Sequence, residues 1–142
     1  MPLSRKWTLN QMVVLTLIAG FVMLLFDIRS EHVDVVHDKW QAWIPIYYAA
    51  AMIVVGTVGM AAWRSWGRVL LMVGFVAAFV VGGLGYYFHT GGHLITGVAT
   101  ILHAWSGNAH RDDGPPALAP LAFGGLGLLG VVACLRAYQP RP

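Results

Sequence analysis

The chain has 142 residues, of which 58% are hydrophobic and only 11% charged, whereas an ordinary soluble domain carries about a quarter charged residues. That balance excludes a soluble globular enzyme and predicts an all-α integral membrane protein, one domain over residues 1–142. The formal charge of +3 comes with no basic patch interleaved with aromatics, which argues against a nucleic-acid partner, and a single cysteine, Cys134, permits neither an intrachain disulfide nor a thiolate cluster.

After Arg5 and Lys6 comes an apolar run from Leu9 to Phe26. The DIRSEH that follows it has no small-residue cleavage pattern, so a retained span over about 9–27 is predicted rather than a signal peptide. The second span, 43–63, carries Pro45 near its first turn, where a missing N–H costs little. The basic turn WRSWGR leads into a third span at 69–88. A turn containing Pro115, Pro116 and Pro120 precedes the fourth, at 117–135. The expected fold is a four-transmembrane-helix bundle with both termini on one side.

Charge orients it. The terminal side holds Arg5, Lys6, Arg64, Arg68, Arg136 and Arg141, against Arg29, Lys39 and Arg111 on the other, so both termini are expected in the cytoplasm. Trp7, Trp63 and Trp66 fall at the inner ends of the spans and Trp40, Trp43 and Trp105 near the outer ones, as an aromatic belt requires. All six acids and all six histidines then lie at the outer boundary or beyond it.

Two stretches of that outer face carry candidate chemistry. If the first helix continues through DIRSEHVDVVHDKW, then Asp27, Glu31, Asp34 and Asp38 form one acidic stripe, and Asp34 and His37 make a pair three residues apart, a spacing that lets one helical turn present two ligands to an ion. The alternation VDVV makes an extended loop the competing expectation. The second stretch, 89–114, predicts an amphipathic interfacial helix: His89, His93, Thr96, Thr100 and His103 recur at helical spacing, opposite Leu94, Ile95, Val98, Ile101, Leu102 and Trp105. Two histidines four residues apart on a helix can share one metal, although Gly91 and Gly92 between them oppose a helix.

The expected site is therefore an extracytoplasmic set of imidazoles and carboxylates, Glu31, His32, Asp34, His37, His89 and His93, with His103 next. Such ligands without thiolate suit copper, zinc or iron. A tetrapyrrole is the alternative cofactor, haem or a chlorophyll-type pigment held by His89 or His103. Gly85-x-x-x-His89 and Ala99-x-x-x-His103 resemble the pigment-ligating pattern of light-harvesting polypeptides, over five residues each, in which the small residue leaves room for a flat macrocycle. Solvated side chains paired with Arg29, Lys39 and Arg111 are the bland alternative.

No G-x-S-x-G, phosphate-binding loop or dinucleotide fingerprint is present. The functional expectation is a small multi-pass subunit or accessory of a membrane redox or metal-handling system, in a bacterial-type inner or other energy-transducing membrane. The alternatives are a structural subunit of a larger respiratory or photosynthetic complex, and a membrane-bound metal oxidase or hydroxylase. Gly74, Ala78 and Gly82 of the third span and Gly124, Gly125, Gly127 and Gly130 of the fourth make smooth faces whose first reading is close packing within the bundle; the sharper one is a docking surface for other membrane subunits, the partners expected beyond the lipid bilayer.

Overall fold

A computed structural model describes residues 7–105 and 119–135. The described chain is helical, with no strand: α1 (Leu9–Glu31), α2 (Val35–Asp38), a 3-10 turn (Trp40–Ala42), α3 (Trp43–Ala61), α4 (Gly67–His89), α5 (Leu94–Trp105) and α6 (Leu121–Cys134). Three helical runs, Leu9–Glu31, Trp40–Ala61 and Gly67–His89, are long and apolar enough to cross a bilayer. At most 33% of the most apolar stretch of each is buried. Their outward faces carry residues such as Leu9, Met23, Phe26, Val54, Val69 and Val73, far more contiguous apolar surface than a monomer exposes to water.

Local chemistry sets the helix limits. Thr8 opens α1 with a reciprocal cap, its hydroxyl accepting from the Gln11 N–H at 3.3 Å while Gln11 Oε1 accepts from the Thr8 N–H at 3.0 Å. The α3–α4 turn closes on Gly67, where any Cβ would strike the backbone of Gly59 and Ala62. At the other end, α4 stops at His89 because Gly91 and Gly92 adopt φ of +58° and +85°, left-handed values that only glycine takes cheaply.

The long helices and α6 form a ring of neighbours. α1 packs on α3 and α6, and α4 packs on α3 and α6. Each contributes one aromatic residue to a central cluster. Phe21 of α1 lies 6.1 Å from Tyr48 of α3, 6.3 Å from Phe75 of α4 and 6.0 Å from Phe123 of α6, centroid to centroid. Tyr48 places its hydroxyl where it donates to Gly74 O at 2.6 Å, which satisfies the phenol inside the bundle. At one end of the ring the last carbonyls of α6 are capped from two other helices: Asn10 Nδ2 donates to Ala133 O at 2.9 Å and Arg68 Nη2 to Cys134 O at 2.7 Å. α1 and α4 therefore begin where α6 ends.

Three expectations change, and one choice left open is decided. α1 does not run on to Trp40 as one helix, nor is the segment extended: it ends at Glu31, turns over residues 32–34, and resumes as the one-turn α2. The turn buries Val36 and lets the Trp43 indole donate to Val36 O at 3.2 Å, so packing on the bundle wins over a straight continuation and breaks the acidic stripe. His89 and His93 share no helix, since the Gly91–Gly92 reversal stands between them. The fourth apolar helix starts at Leu121 and has 14 residues, about 21 Å against a hydrocarbon core of about 30 Å. Finally, most of the glycine faces are used inside the chain. Gly74 sits against Met52, Gly82 against the backbone of Pro120 and Gly124, Gly127 against Phe75 O, and Gly130 against the Phe75 ring. Close packing between α3, α4 and α6 accounts for them without a docked subunit.

That difference yields a direct test. A Cβ on Gly127 would come within 2.6 Å of Phe75 O, a backbone atom that has no rotamer to escape into, whereas a Cβ on Gly125 would meet nothing within 4 Å. Gly127→Ala is expected to destabilise the bundle by about 1–3 kcal/mol through overpacking. Gly125→Ala should be neutral or raise stability by up to about 1 kcal/mol, the helix-propensity gain. Unfolding of both variants in mixed micelles by a denaturing detergent would measure the difference.

Candidate metal site at the ends of α1 and α4

α1 and α4 each have 23 residues and begin at the same end of the bundle, so they finish at the same level. The residue that caps α1 is His32, and the last residue of α4 is His89. Their imidazole rings face one another at 6.2 Å between centroids, tilted by 45°. Both side chains are half-buried, which distinguishes them from Glu31, Asp34, His37 and His93, all exposed.

The local backbone orients one ring. His32 Nδ1 lies 3.0 Å from Ile28 O. A carbonyl oxygen can only accept, so Nδ1 is the donor here, and in the neutral imidazole Nε2 is then the nitrogen open to a metal. Metal-binding histidines are commonly oriented in this way, the second nitrogen donating to a main-chain carbonyl so that the tautomer and the plane of the ring are set in advance. Buried Ile28 holds that carbonyl in place.

The remaining expected ligands are distributed differently. Glu31 is the last residue of α1, adjacent to His32 in sequence. Asp34 caps α2 without a side-chain hydrogen bond to its backbone, and His37 lies on α2 beyond the turn, so neither belongs to the turn of helix that carries His32. His93 opens α5 on the far side of the double glycine, where its carbonyl accepts from the Gly97 N–H at 3.0 Å. His103 is on α5, but its side chain lies outside the described residues, as do Ser106, His110, Asp112 and Asp113. Among the described residues, no three His, Cys, Asp or Glu side chains converge closely enough to hold an ion by themselves.

The macrocycle expectation meets a specific obstacle at one position. The room that Gly85 leaves one turn before His89 is filled by Pro120, whose Cβ would stand 2.8 Å from a Cβ at residue 85. Glycine there serves the approach of α6. The pairing of His32 with His89 was not expected from local spacing, which favours partners three or four residues apart. The signal available was that each histidine stands at the far end of an apolar run that starts on the same side, Leu9 to His32 and Val69 to His89.

A scan against protein-family models, a search of curated proteins and a search of solved structures find no match to this chain.

Proposed function

We propose that this is a four-span membrane protein with cytoplasmic termini that binds a transition metal at its extracytoplasmic end through His32 and His89. The approach of these two rings, one of them already oriented by a main-chain carbonyl, carries the reading. Metal–nitrogen bonds of about 2.0–2.1 Å to both rings put the centroids about 5 Å apart at a tetrahedral angle and about 6.4 Å apart in a line. The observed 6.2 Å falls within that interval. Copper, zinc and iron all accept imidazole. Water would complete the coordination. The role that follows is that of a subunit or accessory in a membrane redox or metal-handling system.

Several features support the topology. α6 runs along α4 from Gly85, which touches Pro120, to Arg68, which caps Cys134. That is about 26 Å of α4 at 1.5 Å per residue, close to the thickness of the hydrocarbon core. The excess of Arg and Lys on the side of the termini supports the orientation. α5 exposes Ile95 at 88% along with Leu94, Val98 and Leu102, as suits a helix lying in the outer membrane interface.

Elemental analysis with an ultraviolet and visible spectrum of the purified, detergent-solubilised protein tests the proposal. About one equivalent of copper, zinc or iron per chain, without a Soret band, is expected. A Soret or chlorophyll-like band would replace it with a tetrapyrrole site. A chain that carries no metal and takes none up on titration would overturn it.

A further inference from the structure

At the opposite end of the bundle, a cleft of about 480 Å³ opens between the start of α1, the α3–α4 turn and the end of α6. Its polar wall is made of hydrogen-bond donors. Gln11, only 7% exposed, uses Oε1 to accept from the backbone N–H and hydroxyl of Thr8, which turns its amide Nε2 away from that cap, and no hydrogen bond among the described residues uses Nε2. Arg68 has committed Nη2 to Cys134 O, and its guanidinium carbon lies 5.5 Å from the centroid of the Trp63 ring. Its Nε is shielded from solvent and has no hydrogen-bond partner among the described residues. Arg64 adds a second, exposed guanidinium at the rim.

Among the described residues, nothing of opposite sign answers these groups. Every carboxylate among the described residues, Asp27, Glu31, Asp34 and Asp38, lies in the last five residues of α1 or after them. A guanidinium whose one acceptor among the described residues is a main-chain carbonyl keeps its full charge and further N–H groups to satisfy, and an anionic oxygen does so best. The rest of the lining includes apolar Val69, Met72 and Leu135. A cavity with cationic donors on one wall and an aliphatic face on the other, at the level where Trp63 and Trp66 end α3 and begin α4, matches a molecule with a phosphate attached to acyl chains.

We propose that this cleft binds the phosphate of an anionic phospholipid, with Arg68, Arg64 and the Gln11 amide as its donors. A free phosphate has the same head chemistry, but would make no use of the apolar wall.

Native mass spectrometry of the full chain in detergent, titrated with phosphatidylglycerol or phosphatidylcholine, tests this, with excess inorganic phosphate as competitor. One phosphatidylglycerol should be retained per chain, at least about fivefold more tightly than phosphatidylcholine, and phosphate should not displace it. Arg64→Gln should weaken retention about fivefold, and Arg68→Lys, which loses the planar donor fork, about tenfold. Because Arg68 also caps α6, the exposed Arg64 variant distinguishes lost binding from lost folding. Equal retention of the two lipids, a loss confined to Arg68→Lys, or wild-type retention in both variants would overturn the proposal. Complete displacement by inorganic phosphate would overturn it in favour of a soluble anion.

Discussion

Replacing His32 with alanine is expected to weaken zinc or copper binding by about 100-fold or more, and His89→Ala should do the same. A site built on two imidazoles loses half its nitrogen ligands with either change, a larger defect than the roughly 10- to 100-fold typical of substituting a group that only orients a ligand. The double variant should bind scarcely less than either single one, because residues that act as one unit are not additive. His37→Ala should stay within about threefold of the parent, since His37 lies beyond the turn that ends α1 and is exposed on α2. Competition with a chromophoric chelator measures all four proteins on one scale. Should His37→Ala or His93→Ala cause the large loss while His32→Ala is silent, ligands paired by local spacing would replace the pair between helices.

The second large effect concerns the bundle itself. Phe21 has no exposed surface and touches an aromatic ring from each of the other three packed helices. Phe21→Ala would leave a cavity walled by Tyr48, Phe75 and Phe123, at a cost of about 3 kcal/mol. That is the lower end of the range for burying and then deleting a phenylalanine. Between helices in a bilayer, dispersion and packing hold the structure, and the transfer from water that inflates the cost in soluble cores is absent. Phe26→Ala, at a side chain 70% exposed on the same helix, is the matched control and should change stability by less than about 0.5 kcal/mol. Denaturing-detergent titration followed by circular dichroism gives both values. Equal effects for the two substitutions would remove Phe21 from the centre of the bundle.

The same contrast explains why a glycine-rich sequence reads ambiguously. A smooth stripe such as Gly74, Ala78 and Gly82 states that something approaches closely, without naming it. Here Met52 meets Gly74, and the backbone of Pro120 and Gly124 meets Gly82. Gly83, Gly124 and Gly125 have open space where a Cβ would stand, so the approach of α6 consumes some glycines of each stripe and leaves others at the surface.

Composition and periodicity by themselves determined the helical class, the three long apolar helices and the placement of most helix boundaries, because these follow from residues close in sequence: the Thr8–Gln11 cap, Pro45 in a first turn, Gly91 and Gly92 after a last one. They also drew attention to the histidines that follow α1 and end α4. Which histidine meets which was decided only by tertiary structure. Local spacing joined His89 to His93, but two left-handed glycines separate them; it also joined Asp34 to His37, which stay on one turn at α2 but are carried off the line of α1 by the bend that buries Val36. The pair that does form, His32 with His89, depends on two helices of equal length that start at the same level, held there by Asn10 and Arg68 on the last carbonyls of α6. Those are contacts between residues far apart in the chain, and their geometry comes from packing rather than from any local preference.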